Sequence, residues 1–397
     1  MTSGGWPVQS MTEACEVNPR LPKEHNLGEE DWVSFVPMAA VDEKEGRIAD
    51  QQLRKFAEVR KGYTHFREGD VLFAKITPCM ENGKAAIARK MESGVGFGST
   101  EFHVLRPRAQ VLPEWIYYFV RRQHFRMEAK RHFTGTAGQQ RVPTSFIESA
   151  RIPIPPLDEQ RGIVDILSRA DGIVHLRHEA RKKATELIPA LFLDMFGDPA
   201  ANPKVWPTRP LGELVAFMSG GTPSKARKDF WTGDLPWVSP KDMKKVEIVD
   251  AIDHVSKSVL AETNIKLVPV GSLLIVVRGM ILVHTVPVAR SLAPITINQD
   301  MKALIPTSAV DARYLLWLMS VSQSHLLSMV STAAHGTRKL DTERLKSLLI
   351  PLAPLDRQIA FAELAAQIQS VQSQQAAATQ TAEATFKSLL AQVFCVS

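Results

Sequence analysis

The chain has 397 residues, more than one ordinary core holds and about right for two domains with connectors. With 45% hydrophobic and 23% charged residues it belongs among folded globular chains and not disordered ones. A formal charge of +6 and a pI near 9.2 permit a polyanionic partner. Cys15, Cys79 and Cys395 are far apart and odd in number, which excludes a disulfide framework or a zinc site. No apolar run is long enough for a membrane span, and no basic-then-apolar leader opens the chain. The expectation is a soluble, cytoplasmic protein with no membrane partner.

In chain order, residues 1–50 carry 4 basic and 10 acidic side chains, and residues 51–147 carry 17 basic and 8 acidic. The basic block fits a face that grips phosphates, although ordinary solvated charge gives the same count. Val71–Ile76 and residues 95–104 are short apolar runs between Gly/Pro punctuation and read as strands. Gly94-Val-Gly-Phe-Gly98 reads as a turn, since no helix follows its glycines. Residues 113–130 read as one helix with Pro113 at its first position. A proline-rich hinge then leads into a long helix with Asp158 as candidate N-cap, stopped by Gly197-Asp198-Pro199 and kinked or ended a turn early by Pro189.

The second half repeats the first. Ile152-Pro-Ile-Pro-Pro-Leu-Asp-Glu-Gln160 returns as Ile350-Pro-Leu-Ala-Pro-Leu-Asp-Arg-Gln358, an offset of 198 residues. Asp31–Ser34 answers Pro236–Ser239, Gly69–Phe73 answers Gly271–Ile275, and Leu105–Pro107 answers Leu304–Pro306. Trp115–Tyr118 answers Tyr314–Trp317, and Gly138–Arg141 answers Gly336–Lys339. One unit of about 200 residues is therefore used twice. Leu273–Val277 and residues 295–305 read as strands, residues 312–329 as a helix, and a second long helix follows Asp356 towards Phe394.

On the long helices, positions 163, 166, 170, 173, 177, 180, 184, 187 and 191 keep a matching face 198 residues later, with Arg177 and Gln375 mid-seam. This 3-4 spacing predicts that the two helices pack on each other, antiparallel, and hold the units apart. The competing reading is two amphipathic helices docked on their own domains.

The catalytic motifs fail. No Asn/Asp-Pro-Pro-Tyr/Phe loop is present, and Gly83-Lys84 lacks the rest of a nucleotide-binding loop. Asp42-Glu43 and Asp158-Glu159 are adjacent and diverge, and His175 with His178 has no third ligand. No catalytic and no metal-ligating residue is expected. What remains is DNA binding. Gln139, Gln140 and Arg141 in the loop Thr134–Arg141 suit adenine and guanine edges. Lys75, Thr77, Asn82 and Lys84 give a second polar loop, and Arg121 and Arg122 head a basic helical stretch suited to phosphates or simply to water. The second copy offers Ser224, Lys225, Lys228 and Lys241, then Arg278, and His335 to Lys339 with Thr337 and Arg338. Trp32, Trp115 and Trp237 read as core residues ahead of base-stacking ones.

Together with Ala74-Lys-Ile-Thr-Pro-Cys-Met-Glu-Asn-Gly-Lys84, Phe192-Leu-Asp-Met-Phe-Gly-Asp-Pro199, Gly220-Gly-Thr-Pro-Ser224 and Leu235–Ser239, these features make nearly the whole chain resemble the specificity subunit of type I restriction-modification enzymes. The resemblance implies an α+β protein with two target-recognition domains, 1–151 and 198–349, each followed by a hinge and spacer helix, 152–197 and 350–397. It implies that each domain reads one half of a split double-stranded DNA target. Two methyltransferase subunits would dock on the helices, and restriction/translocase subunits could join. S-adenosylmethionine, ATP and Mg are then expected on those partners and none on this chain, which catalyses nothing. The divergence of Val276–Val283 from Ala74–Asn82 predicts unlike half-sites and an asymmetric target. A specificity subunit of another restriction class and a free-standing sequence-specific DNA-binding protein share these features.

Overall fold

The computed structural model describes residues 5–136, 138–332 and 336–395. The chain divides into two units, residues 1–179 with 376–397, and residues 180–375. Each mixes antiparallel-dominated sheets with helices, so the class is α+β.

In the first unit, one four-stranded sheet has the order Cys15–Val17, Phe102–Pro107, Val71–Ala74, Ala85–Ile87. A second has the order Gln52–Lys55, Trp32–Val36, Val95–Gly98, Thr64–Arg67. Val71–Ala74 is buried on both faces, which explains its unbroken apolar run. Val95–Gly98 is a strand, not a turn: a Cβ on Gly96 would lie 2.1 Å from the Phe66 ring, so glycine there lets that ring cover the sheet.

In the second unit, the larger sheet runs Val215–Ser219, Met301–Pro306, Leu273–Val276, Val288–Ser291, Glu247–Ile248. Asp253–Val255, Leu235–Val238 and Thr296–Ile297 form a smaller one. The strand registers correct one repeat match. Phe35 pairs with Phe97 and Trp237 with Thr296, so Phe35, not Trp32, answers Trp237. Trp32 is accordingly 52% exposed, against the core role expected for it, while Trp115 and Trp237 are buried.

Each expected mid-domain helix is two. Pro113–Arg121 and Gln123–Arg131 are parted by Arg122, whose ψ of 138° is not helical. Ala312–Val321 and Gln323–Ser328 are parted by Ser322. Pro113 does occupy the first turn, and Asp311 caps its counterpart by accepting from the Arg313 and Tyr314 amides.

The hinge repeat exists to place one glutamine. Gln160 and Gln358 are both fully buried. Gln160 Oε1 accepts the Leu112 amide at 2.9 Å, and its Nε2 donates to the Gln110 and Pro155 carbonyls at 2.9 and 2.8 Å. Gln358 Oε1 accepts the Asp311 amide at 2.9 Å and its Nε2 donates to the Ala353 carbonyl at 2.7 Å. Above each hinge an aromatic reaches the same proline carbonyl: Trp115 Nε1 donates to Pro153, and Tyr314 Oη to Pro351.

The long helices begin at Leu157 and Leu355. Asp158 and Asp356 therefore lie inside the first turn, where a carboxylate favours the positive helix end, and are not the caps. The prolines 156 and 354 hold that place, their carbonyls accepting the Gln160 and Gln358 amides. The first helix runs Leu157–Ala184, breaks, and resumes as Leu187–Phe196. Pro189 cannot donate to, and clashes with, the carbonyl four residues back, at Thr185. The matching residue of the second helix is Lys387, and that helix runs unbroken from Leu355 to Val393.

The inward face differs from the expected seam. Gln160, Ile163 and Leu167 are buried, whereas Ile166 and Ile173 are 39% and 51% exposed. Contacts with the globular part set this rotation: Tyr118 Oη to Ser168, Arg121 to Asp171, and His175 Nε2 to the Glu45 carbonyl at 2.9 Å. Within the first unit His178 pairs with Glu383 at 2.9 Å, and Leu390, Val393 and Phe394 enter the core beside Trp115 and Phe119. Within the second, Ile188, Phe192 and Phe196 pack with Tyr314 and Phe361, and Gln372 Nε2 donates to the Ala184 carbonyl.

Gln160→Leu leaves a buried amide and two carbonyls unpaired and should cost about 2–4 kcal/mol. Hydrogen exchange should speed up at residues 110–116 and not at 310–316, and Gln358→Leu should do the reverse. Equal exchange in both regions would show that the glutamines are not local clamps. Phe394→Ala should cost about 3–5 kcal/mol, the range for truncating a buried aromatic. Its loss should be read at residues 115–125 by the same method.

Candidate nucleic-acid interface

In both units one loop junction is held by the same backbone bonds. The Thr77 amide donates to the Gln140 carbonyl and the Val142 amide to the Lys75 carbonyl. The Gly279 amide donates to the Arg338 carbonyl and the Leu340 amide to the Val277 carbonyl. Ile76 bridges Arg141 as Arg278 bridges Lys339. The expected loop residues Lys75, Thr77, Gln139, Gln140 and Arg141 are thus brought together in the first unit, and Arg278, Thr337, Arg338 and Lys339 in the second. His335 lies outside the described residues.

The arginine of the first junction is neutralised. Arg141 makes a two-pronged pair with Glu101, Nε to Oε2 at 2.9 Å and Nη2 to Oε1 at 2.8 Å. That bond pulls the Glu101 carboxyl below its usual range and lifts the Arg141 guanidinium. Arg141 Nη1 also donates to the Gln139 carbonyl. The Gln139 side chain is exposed. The Thr77 hydroxyl is turned to Glu81. Beneath lies His103, with Nε2 2.9 Å from the Val142 carbonyl and Nδ1 3.2 Å from the Asn18 amide nitrogen. These partners fit a neutral ring with its proton on Nε2. Burial pushes its pKa down to about 4.

Other expected contacts are occupied by the fold. Asn82 donates to Glu43, and Lys84 Nζ to the Met38 carbonyl. Arg121 turns inward, donating to Tyr117 and to the Glu43 and Lys44 carbonyls, with Asp171 3.7 Å away. Arg122 stacks on Phe119 and Phe394, and its Nη1 donates to the Phe394 carbonyl at 2.9 Å. Burial lowers the Arg122 pKa to about 10. Both arginines brace the end of the second long helix and the loop at 43–47, and neither offers a free guanidinium as the basic run suggested. In the second unit the matching helix-end carbonyl, Phe196, is satisfied by Trp206 Nε1 instead.

Ser224, Lys225 and Lys228 are exposed on a loop fixed by Trp231 Nε1 on the Ser224 carbonyl and by the pairs of Arg227 with Asp229 and Glu262. Lys241 is exposed beside Asp242, whose carboxylate accepts the Ser239 amide. No hydrogen bond or ion pair given for the described residues joins either loop to Arg278. Sequence reasoning missed Glu101 and Lys302, because both lie at or in runs read only as strands. Their signal was charge inside an apolar run. Among the described residues no group of three or more His, Cys, Asp or Glu side chains could hold a metal, and no helix is long and apolar enough to cross a membrane.

The family model for the type I restriction modification DNA specificity domain matches residues 4–186 and again 203–374. The type I restriction enzyme EcoEI specificity subunit of Escherichia coli is 41% identical over 166 residues, 42% of this chain and 27% of the relative. The EcoAI specificity subunit of the same organism is 38% identical over 161 residues, again covering 27% of its length. The chain's match thus spans about a quarter of these relatives. The HindI specificity subunit of Haemophilus influenzae is 21% identical over 362 residues, 72% of this chain and 76% of the relative. A solved chain from a study of assembly and conformational transition of the type I R-M system superposes with a TM-score of 0.64 at 22% identity, covering 98% of this chain and 97% of its own. The type I restriction-modification S subunit from M. genitalium gives 0.54 at 14% identity, covering 99% and 97%. These two likenesses speak to the fold alone. With two matches that together take in most of its length, the chain belongs to the type I restriction modification DNA specificity domain family.

Proposed function

We propose that this chain reads a split, asymmetric sequence in double-stranded DNA for a type I restriction-modification complex and performs no chemistry itself. The observation that carries the proposal is the pair of junctions: identical backbone scaffolding, unlike side chains. Shared scaffolding gives the two units one way of meeting DNA, and the differing residues give each a different half-site. Residues 1–151 and 198–349 are the reading domains in this proposal. The helical segments 152–197 and 350–397 form an antiparallel spacer. The start of one helix meets the end of the other inside each unit, Ile163 and Leu167 sharing a core with Leu390 and Phe394 in the first and Phe361 packing on Phe192 and Phe196 in the second, which supports that direction.

The partners are two methyltransferase subunits, with restriction/translocase subunits beyond them. S-adenosylmethionine, ATP and Mg belong to those partners, which supply the methyl transfer and the motor. The rotation of the long helices supports a two-partner reading. It leaves Ile166 and Ile173 exposed in one unit, and their counterparts 198 residues on, Leu364 and Val371, are 42% and 54% exposed in the other. A duplicated outward apolar stripe fits two copies of one partner.

A map of N6-methyladenine in the host, with and without this gene, should lose one two-part asymmetric motif and nothing else. Methylation unchanged by the deletion would refute the assignment. Ile173→Asp and Val371→Asp should each reduce the co-purifying methyltransferase subunits from two to one, and the double variant should retain none. Two subunits on the double variant would remove the helix stripe as the docking face.

A further inference from the structure

The strand registers of the two units allow a residue-by-residue comparison of the junctions. His103 pairs with Phe73 as Lys302 pairs with Ile275, and the amides of Lys75 and Val277 reach the carbonyls of Glu101 and Asp300. With the bonds given above, Ile76, His103, Gln140 and Arg141 of the first unit answer Arg278, Lys302, Arg338 and Lys339 of the second. Four cations thus stand at positions where the first unit has one, held by Glu101; one position earlier the order is reversed, Lys75 answering Val277, so the second junction carries four cations against two in the first.

The second set is not neutralised in the same way. Lys302 Nζ donates to the Ser219 hydroxyl at 2.6 Å, and Arg338 Nη1 to the Thr332 hydroxyl at 2.8 Å, both uncharged partners. Lys339 is 3.8 Å from Asp341, a long pair between groups each about two-fifths exposed. Arg278 is exposed and makes no ion pair among the described residues, and neither does Asp300, which stands in the place of Glu101. Burial and the ammonium groups of Lys346 and Lys339 lower the pKa of Lys302, which places Lys302 within the field of both lysines.

Resting on the DNA-reading proposal, we infer that the two junctions divide the work: Arg278, Lys302 and Lys339 form a phosphate clamp that carries most of the salt-dependent affinity, while the first junction, its arginine held by Glu101, reads bases through neutral amides. Like charges crowded on one sheet end are repelled until phosphates arrive, so the clamp is completed by its ligand. Glu101 is the positioning residue that keeps the first junction from becoming a second clamp. It fixes Arg141 beside the exposed Gln139.

The test uses the full chain and a 40-base-pair duplex of random sequence, because non-specific affinity reports phosphate contacts directly. Each contact contributes about 0.9 to the slope of log affinity against log salt, or about 3.5-fold between 50 and 200 mM salt. Arg278→Gln, Lys302→His and Lys339→Gln combined should flatten the slope by about 2–3. Arg141→Gln should change it by less than about 0.5, and Glu101→Gln, which frees Arg141, should steepen it by about 1. Thermal melts identify a variant that has failed to fold, and Glu101→Gln, in the other unit, tests the idea independently of the triple variant. An unchanged slope in the folded triple variant, or an equal loss from Arg141→Gln, overturns the division of work and leaves DNA reading intact. A wild-type chain that binds no duplex at 50 mM salt overturns both.

Discussion

The joint between each globular part and its long helix depends on one buried amide per unit. Gln160 and Gln358 take the first peptide group of a globular helix and the last peptide groups of the hinge into the same set of hydrogen bonds. A glutamine suits this place because it accepts with one end and donates with the other, so it can satisfy backbone groups of both kinds at once. In an interior without water, an alternative orientation would strand those groups. The direction in which each long helix leaves its unit is therefore specified by hydrogen-bond accounting as much as by apolar packing. The aromatic above each hinge adds a second fix, by Trp115 in one copy and Tyr314 in the other. The two rings differ in chemistry and agree in the carbonyl they reach, which shows what the position requires: a donor on a large apolar plate.

Much of this was legible because duplication doubles the evidence. The hinge motif, the paired strands and the matching loops Gly138–Arg141 and Gly336–Lys339 were found by self-comparison and stand at equivalent positions in the two sheets. What was not legible is decided by neighbours distant in sequence. The heptad pattern cannot say which way a helix is rotated when Ile166 and Leu167 are adjacent and both apolar; the tyrosine, arginine and loop carbonyl of the globular part decide it. The break at Arg122 is likewise tertiary: its guanidinium is drawn onto Phe394, 272 residues later. A run of arginines reads as a phosphate grip until its partners are seen, and here Arg121, Arg122 and Arg126 all donate to backbone carbonyls. Trp32 and Trp237 share the letters Trp-Val-Ser, whereas the strand register matches Phe35 with Trp237.

The two junctions also show how little of a fold need change to change what it contacts. The strands, their pairing and the bonds that close each loop are retained, and the differences fall on side chains that point away from those bonds. Replacing a neutral buried ring at 103 by an amine at 302 alters the local field and leaves the sheet unaltered. Specificity can then diverge between the copies without disturbing the clamps that orient them.

The first unit is discontinuous along the chain: its core needs Leu390, Val393 and Phe394, while the second unit is drawn from one unbroken stretch. On a ribosome that adds about 5–20 residues per second, the first unit waits some 10–40 s for those side chains while the second is made. During that interval Trp115 and Phe119 lack the ring that covers them. The unit whose sequence begins earlier is therefore the one completed last, and a chain cut short between residues 376 and 390 would carry a finished second unit and an unfinished first.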